Sequence, residues 1–595
     1  MRDDNKGKVK SEGSIGIKDP MADYVVKEFT RYEGFHAKRF EEAEEIYDLW
    51  LGTRKTPKRE WMNNVHVPMM FEGEQTITPR MFVALFPTDA PIDVKVEGDA
   101  PAQQGTKIKG TIQHYFRISD VQGEALPMLT QNSVFGTGYC EAGLWYTKFG
   151  WQMDSESGER YWTPIENRPD CKFVNFFEMY PHPAKLRIGD GLPLIRRRYA
   201  DAEYLKRMKN NPFFDTNKID KALQTELPTQ GANKSYAKET KDEYEILEYF
   251  GPYEKEKTGD NGVTTKELIP HWIIVINREV TIRGIPNPFN HQMEPFCKIT
   301  MFPDAKPSWF GVGVGKIGKG ANDRLDKIVN QRLDNVDLVL NKQYLVMAGD
   351  NYVNRKKLGI SQPGGIHEVA DTIASVRELV TQDVTGSAYK EEELAKNDFR
   401  EATGATAQLM PTESQHRTAL GIQLLQGAAG MRFRPILRKI EIDFIQQLSM
   451  FYFSNLKQFM TQVEWVQIAG EAGEQAVQVR PEEIQAKAYF IPTGISETQN
   501  KEVEITNLLK YKEVTKDDPT VNRAEINKRI GELLGFKDFD KFIVQQGQPM
   551  QGSSLPPEAQ QRIKQRLAEG ASPETIKQEL MGSPPGPGEN VGRGQ

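Results

Sequence analysis

The feature that most constrains this chain is a helical pattern interrupted by a β-type segment and then resumed. Apolar residues recur every three or four positions over 325–340, which predicts a helix of roughly five turns. Residues 344–384 combine short apolar runs with Asn/Gly turns and Pro363-Gly364-Gly365, which predicts a β-rich insert. A second, charged helix is predicted from about 387 to 403, with Gly404 ending it.

The segment that follows predicts a loop and then one long apolar helix. Residues 404–415 are rich in loop-forming types, and Pro411 disfavours continuation of the preceding helix. A helical pattern of large apolar residues then persists over 418–460. Pro435 lies inside this pattern and is expected to kink the helix, because proline has no N–H and clashes with the preceding turn.

This order of helix, β insert, helix, loop and long helix resembles the core of bacteriophage portal proteins, especially those of podovirus type. The resemblance extends over about 24–541 and implies an α+β portal fold with a mainly helical core and a β-rich wing and clip. It implies these parts: a flexible N-terminal arm (1–23), wing (24–308), hinge and first stem helix (309–343), clip (344–384), second stem helix (385–404), tunnel loop (405–416), long kinked helix of wing and crown (417–460), wing strands and crown helices (461–541), and a flexible C-terminal tail (542–595).

The same resemblance implies a head-to-tail connector. Portal proteins form a ring, here expected to have twelve copies, at one capsid vertex, through which double-stranded DNA is packaged and ejected. The implied partners are other copies of the chain, the major capsid protein, the terminase large subunit and a tail adaptor. Terminase and adaptor are expected to dock at the clip. The protein is expected in the virion after assembly in the host cytoplasm, without a cofactor, enzymatic activity or a membrane partner.

Three groups of residues are the site candidates. Burial of the apolar stripe of the first stem helix would leave a carboxylate stripe towards solvent, and this stripe is expected to line the channel: Asp323, Asp326, Asp334 and Asp337. By resemblance, the tunnel loop would contribute Thr406, Gln408, Met410, Glu413, His416 and Arg417. A basic group is a candidate for DNA contact, with a solvated face and ion pairs between subunits as the alternatives: Arg432, Arg434, Arg438 and Lys439.

A glycine run supplies the main alternative, a packaging motor ATPase. Gly313-Val314-Gly315-Lys316-Ile317-Gly318-Lys319 matches the first seven positions of a phosphate-binding P-loop. The next residue is Gly320, where a P-loop needs a Ser or Thr hydroxyl to hold Mg²⁺. We therefore interpret the run as a flexible hinge that leads into the first stem helix. A structural tail or baseplate protein is the other alternative.

Composition, charge and residue spacing argue against several kinds of site and of partner. The charge of −6 over 595 residues argues against tight wrapping of DNA on a basic surface. No apolar run approaches the ~20 residues that a membrane span needs. The eight histidines form no HExxH pattern, so no metal ligands or catalytic residues are predicted. Cys140, Cys171 and Cys297 are far apart in sequence and are expected to be reduced and buried.

Several local patterns predict the elements of the N-terminal half. Phe29, Tyr32 and His36 fall on one face of a helix, and His36 is expected to pack there rather than bind a ligand. Thr78-Pro79 predicts a helix start, and a long helix is predicted over about 106–132. Residues 135–139 predict a tight turn with positive φ, and strands are predicted near 92–97, 144–147, 173–180, 244–250, 272–276 and 280–283.

Fewer patterns are informative in the C-terminal part. Strands are predicted over 464–468, 476–480 and 484–491. Ser496-Glu497-Thr498-Gln499 forms a capping box that predicts another helix. A further helix is predicted near 523–534, and the residues from 545 onward are rich in Gln, Pro and Gly, which is typical of a flexible tail or docking peptide.

Overall fold

The computed structural model describes most of the chain as far as residue 494. The described residues are 19–53, 61–88, 90–97, 102–154, 158–209, 214–225, 243–258, 264–341, 343–346, 353, 376–382, 385–405, 433–461, 463–470 and 473–494, with short fragments at 508–509, 511–512, 515, 526–527 and 529–530. The chain divides into two compact units, residues 1–499 and 500–595. The architecture below belongs to the first unit.

Helices in the described part of this unit are α1 (Pro20–Leu51), α2 (Met69–Leu85), α3 (Ala102–Ile118), α4 (Val121–Phe135), α5 (Ala202–Met208), α6 (Thr216–Leu223), α7 (Val314–Leu340), α8 (Thr385–Thr403), α9 (Arg434–Ile440) and α10 (Gln447–Phe459). A π-helical segment, Glu441–Gln446, joins α9 to α10. Short 3₁₀ turns occupy Phe176–Glu178 and Pro481–Ile484.

The strands are β1 (Ile92–Val96), β2 (Thr137–Glu141), β3 (Trp145–Met153), β4 (Arg160–Pro169), β5 (Lys172–Val174), β6 (Met179–Pro181), β7 (Leu194–Ala200), β8 (Tyr244–Thr258), β9 (Thr264–Ile276), β10 (Val280–Pro286), β11 (Phe296–Thr300), β12 (Gln343–Val346), β13 (Val376–Leu379), β14 (Glu464–Gly470), β15 (Gly473–Val479) and β16 (Ala488–Pro492). A five-stranded sheet has the order β10-β9-β8-β7-β6, and a three-stranded sheet has the order β11-β2-β5. The pairs β1-β16, β3-β4, β12-β13 and β14-β15 form two-stranded ribbons. The fold is therefore α+β.

Helix α1 packs against the five-stranded sheet. Asp19 caps it by accepting the N–H of Met21, and Gly52 ends it with φ 81°. The predicted apolar face is confirmed, because Phe29 and Tyr32 are buried in the cluster that includes the sheet. His36 is also buried, and its Nε2 lies 2.9 Å from the carbonyl oxygen of Pro181. His36 therefore has the packing role that its position predicts.

A second core lies among α2, α3, α4, α9, α10 and the three-stranded sheet. The described part of the 418–460 pattern supplies several of its apolar side chains, including Ile440, Phe444, Leu448 and Phe451, all fully buried. At 25 cal/mol per Å² of apolar surface, each such side chain contributes about 1.5–3 kcal/mol. This pattern therefore anchors the second core, as its apolar periodicity indicates.

Two predictions depend on the positions of prolines. Thr78-Pro79 lies inside α2 rather than at a helix start, because the helix already begins at Met69 and buries Met70 and Ile77. Tertiary burial of these side chains outweighs the hydrogen bond that Pro79 cannot make. Pro435 lies in the first turn of α9, where its missing N–H is not needed. The part of the predicted 418–460 helix before Phe433 lies outside the described residues, so the kink at Pro435 stays a prediction. Further along, the described helix is irregular over the π-helical segment.

Other predicted boundaries also shift. The helix predicted over 106–132 is two helices, α3 and α4, because Asp120 adopts φ 48° and caps α4 through the N–H of Gly123. The strand predicted over 173–180 is interrupted by the 3₁₀ turn, and the one predicted over 484–491 begins only at Ala488. The turn at Gly136 has the predicted positive φ of 92° and leads into β2. Residues 210–241, whose polar and turn-rich sequence predicts an exposed excursion, include helix α6.

The three cysteines come together at the three-stranded sheet, with Cys171 directly before β5, which their separation in sequence gave no reason to expect. Cys140 and Cys297 are register partners on β2 and β11, and all three thiols are free and buried. A hydrogen bond with the thiol of Cys140, together with burial, raises the pKa of Cys171 well above its ordinary value. The cysteines are therefore unreactive core residues.

Candidate channel-facing helix pair

Helices α7 and α8 are antiparallel neighbours with an apolar seam. Leu325 and Val329 of α7 bury against Ala395 and Phe399 of α8, with Met69 closing the cluster. The predicted apolar stripe is therefore buried along the first part of α7. It becomes partly exposed at Leu333 and Val336 and ends at Leu340, which is 72% exposed.

Ion pairs run along the outer side of the same seam. Arg324 contacts Glu391 at 2.7 Å and Asp398 at 2.9 Å, and Arg332 contacts Glu392. The guanidinium of Arg332 also lies 4.3 Å from the ring centroid of Tyr389. The surface between the two helices therefore carries compensated charge rather than one sign.

The polar stripe of α7 is covered by residues 61–68, which we call the clamp segment. Asp326 accepts the N–H of Val67 at 2.8 Å, and His66 Nδ1 lies 2.9 Å from its other oxygen. Asn330 exchanges two hydrogen bonds with the backbone of Val65, at 2.6 and 2.8 Å. The stripe that was predicted to face solvent is thus used to bind the chain's own N-terminal segment.

Asn63 continues the clamp one helical turn further. Its backbone N–H donates to Asp334 at 2.7 Å, and its side-chain amide donates to Asp334 and Asp337 at 3.0 and 2.7 Å. The spacing of Asp326, Asn330 and Asp334 is four residues, so the side chains lie one above another on the helix. An extended segment can therefore hydrogen-bond to each of them in turn.

The carboxylates predicted to line a channel consequently differ in exposure. Asp323 is exposed, whereas Asp334 and Asp337 are half-buried against Asn63. Asp326 is only 1% exposed. The prediction that Asp326 faces solvent is wrong, because its carboxylate fills the hydrogen-bonding needs of the clamp segment, including the otherwise unbonded N–H of Val67.

The glycine run is a packing surface rather than a hinge. Helix α7 begins at Val314, so all but the first residue of the P-loop-like match is helical. A Cβ at Gly315 would lie 2.6 Å from the carbonyl oxygen of Val134, and one at Gly318 would collide with the ring of Phe399. Lys319 pairs with Glu45 of α1. Neither the loop nor the lysine of a phosphate cradle is formed.

Two residues of the basic group, Arg438 and Lys439, form ion pairs within the chain. Arg438 contacts Glu441 at 2.8 Å, and Lys439 pairs with Asp443. Arg434 is exposed.

Arg432 and the predicted tunnel-loop residues lie outside the described residues: Thr406, Gln408, Met410, Glu413, His416 and Arg417. The ends of the β insert, β12 and β13, pair with each other at the ends of α7 and α8, whereas most of 344–384 lies outside the described residues.

The part of the chain that the structure describes has neither a candidate metal site nor a membrane-spanning helix. No cluster of three or more His, Cys, Asp or Glu residues there is placed to hold a metal ion. No described helix is long and apolar enough to cross a membrane.

Sequence reasoning missed the clamp segment. Asn63, Asn64 and His66 are short polar residues without a helical or alternating pattern, and nothing local connects them to a helix more than 250 positions away. The one signal in the sequence is the spacing of four residues between Asp326, Asn330 and Asp334. This spacing forms a polar stripe on the helix, which predicts a surface that faces solvent. A regular polar stripe is equally suited to binding an extended backbone.

A comparison with known protein families shows the family of this chain. A family model described as phage SU10 portal protein matches residues 162–571, well over half of the 595 residues. The chain belongs to this portal protein family. This match confirms the predicted resemblance to phage portal proteins. It gives the chain a portal, or head–tail connector, role in a phage virion. Portal families are structural in character.

Solved structures add only a distant similarity. A chain from "Neck of empty GTA particle computed with C6 symmetry" is 9% identical, with a TM-score of 0.36, and the alignment covers 78% of this portal chain and 90% of that chain. A chain from "Virion of native gene transfer agent (GTA) particle" is 9% identical, with a TM-score of 0.34. That alignment covers 82% of this portal chain and 98% of the other chain. No curated protein matches the chain.

Proposed function

We propose that this portal protein assembles into a closed ring of twelve copies at one capsid vertex. The genome enters and leaves through its central channel. The family match carries the portal role, and the exposed apolar surface described next supports assembly into a ring. The ring's other partners are the major capsid protein, the terminase large subunit and the tail adaptor, with assembly in the host cytoplasm.

The β3-β4 ribbon is the strongest sign of a surface that another subunit covers. Trp151 is 68% exposed and Trp162 is 50% exposed, and the two rings pack edge to face at 5.3 Å. Met153, Tyr161 and Ile165 are also exposed on this ribbon. A two-stranded ribbon with this much exposed apolar surface is poorly stable alone, and large exposed patches mark interaction sites. A neighbouring copy would bury them.

Replacing both tryptophans by serine should prevent ring formation while leaving the subunit folded. Trp151 and Trp162 are exposed, so their loss removes no core packing. Negative-stain microscopy of the wild type should show rings with a central hole, and mass photometry of Trp151→Ser/Trp162→Ser should show mainly smaller species. Phe35→Ser is the matched control, because Phe35 is a 62% exposed aromatic on α1, outside the ribbon.

Full rings from the double variant would remove the ribbon from the subunit interface without affecting the portal role. Wild-type protein that forms no ring at any concentration or in the presence of DNA would contradict the proposed assembly itself.

We further propose that α7 and α8 form the stem and that the insert between them forms the clip. Support comes from the antiparallel helix pair and from the pairing of β12 with β13, the strands that follow α7 and precede α8. The side of α7 that carries Asp323 remains available to a channel, since the clamp segment covers Asp326 and Asn330.

Replacing residues 347–375 by an Asn-Gly turn between β12 and β13 should abolish docking of terminase and tail adaptor. The β12-β13 ribbon would be closed as a hairpin, so α7 and α8 should keep their contacts. Circular dichroism would check folding, and pull-downs with terminase and adaptor would measure docking. Retained binding of both partners would contradict the clip assignment.

A further inference from the structure

A buried lysine lies in a cavity outside the helix pair. Lys298 on β11 is 9% exposed, and the cavity that it lines has a volume of about 510 Å³. Its ammonium donates to the carbonyl oxygens of Leu186 at 2.8 Å and Trp309 at 2.9 Å. An ammonium has three N–H groups. The described part of the chain provides the third with no acceptor oxygen.

The Trp309 ring completes the contacts of this lysine. The ammonium lies 4.1 Å from the ring centroid, a cation–π contact that partly replaces lost water. Neither the carbonyl oxygens nor the ring carries a full negative charge. Lys298 is therefore solvated by the protein but not neutralised by it.

Positive charge exceeds negative charge around the cavity. The charged lining residues are Arg187, Lys298, Lys306 and Lys439 against Asp304 and Asp443. Lys439 and Asp443 pair with each other, and Asp304 accepts the backbone N–H of Lys306 at 3.1 Å. Arg187 and Lys306 are exposed at the cavity mouth. The arrangement leaves an excess of cationic donors that converge on one space.

The pKa of Lys298 is lowered from the usual 10.5 to about 7. Burial is the largest cause, the charges of Lys439 and Lys185 also lower the pKa, and Asp443 and Asp190 oppose them. Lys185 is itself held by Asp190 and Glu294, at 2.6 and 2.8 Å. A perturbed lysine in a cleft with unmatched charge is typical of a site that receives an anion.

The cavity wall has a further unusual element. Asp443 lies in the π-helical segment, and Gln447 follows directly after it. π-helical turns in long helices are often found at functional sites because they redirect side chains. Here the segment turns polar groups toward the cavity that Lys298 lines.

We propose that this cavity binds a phosphate-type oxyanion, with Lys298 at its floor and Arg187 and Lys306 at its mouth. One anion oxygen accepts the third N–H of Lys298, and the others receive charge-assisted hydrogen bonds from the rim cations. The same chemistry is offered by free phosphate and by the phosphodiester of a nucleic-acid strand. The proposal does not depend on ring formation.

Isothermal titration with sodium phosphate, against sodium chloride at equal ionic strength, tests the site on the full-length chain. We expect saturable binding in the wild type and a loss of at least about tenfold in affinity for Lys298→Met, in line with one charge-assisted hydrogen bond. Lys306→Ala should weaken binding severalfold, and because Lys306 is exposed this variant keeps the test decisive if Lys298→Met does not fold. Lys148→Ala, an exposed lysine on β3, is the control and should bind as the wild type does.

Proton uptake gives a second readout. An anion favours the charged form of Lys298, so binding at pH 8 should take up a proton, detected as a heat that differs between buffers of different ionisation enthalpy. This uptake should disappear in Lys298→Met.

A fluorescent oligonucleotide distinguishes the two sources of phosphate. If the oligonucleotide binds the wild type, is displaced by phosphate and binds Lys298→Met or Lys306→Ala more weakly, the cavity receives a nucleic-acid phosphate. Phosphate binding without oligonucleotide binding assigns it to a free anion. Absence of saturable binding by either probe, or binding unchanged in Lys306→Ala and Lys298→Met, overturns the proposal.

Discussion

Replacing Asp326 by alanine is expected to lower the free energy of unfolding by about 3 kcal/mol or more. Its carboxylate accepts hydrogen bonds from Val67 and Asn322 and contacts His66 Nδ1, all within 3.0 Å, and it is 1% exposed. Its loss would leave buried donors without an acceptor, at a cost of about 1–3 kcal/mol each that does not add fully. Denaturant unfolding measures the total effect.

Asp323→Ala is the matched control for Asp326→Ala. Asp323 lies one turn earlier on α7 and is exposed, so its removal should change stability by less than about 0.5 kcal/mol. Asp326→Asn keeps one acceptor oxygen and should fall between the two. Hydrogen exchange should rise at Val65 and Val67 in Asp326→Ala alone. Equal stability of Asp323→Ala and Asp326→Ala would show that the clamp segment does not stabilise the fold.

Replacing Gly318 by alanine is expected to destabilise the protein by about 2 kcal/mol, although alanine is the better helix former. The added Cβ would lie 2.9 Å from Cδ2 and 3.0 Å from Cζ of Phe399. The ring cannot retreat, because its opposite edge already lies close to Gly73, and Phe399 is 1% exposed. Overpacking of this kind costs about 1–3 kcal/mol, more than the ~1 kcal/mol gained in helix propensity.

Gly320→Ala should have the opposite sign. Gly320 lies on the same helix, is exposed, and has nothing within 4 Å of an added Cβ, so the substitution should stabilise the protein by about 0.5–1 kcal/mol. Thermal unfolding of both variants measures the difference. Phe399→Leu combined with Gly318→Ala should recover part of the loss, since a smaller side chain makes room. Stabilisation by Gly318→Ala would instead support the flexible-hinge interpretation.

Periodicity in the sequence was sufficient for elements whose burial is regular. Helix α1, the α8 helix ending at Gly404, the β9-β10 hairpin and the strands β1, β8, β14 and β15 follow from it. In helix α1 one face is buried along its length, so the spacing of apolar residues reports the structure directly. The portal resemblance rested on the order of such segments.

Local rules failed where distant contacts decided the outcome. Pro79 is tolerated inside α2 because the surrounding side chains are buried, and the break at Asp120 depends on one residue with positive φ. The glycine run has the composition of a hinge, yet Gly315 and Gly318 give space to Val134 and Phe399 from other helices. A glycine that provides flexibility and one that provides space cannot be distinguished by sequence.

The sequence by itself determined that α7 has an apolar and a polar stripe, because both follow from a spacing of three and four. Only the tertiary structure decided what each stripe contacts. The apolar stripe packs against α8, and the polar stripe receives the backbone of residues 61–68, which leaves Asp323 exposed and buries Asp326. The physical reason is that a carboxylate is equally compatible with water and with unbonded backbone N–H groups. The partner is chosen by whichever segment the rest of the fold brings near.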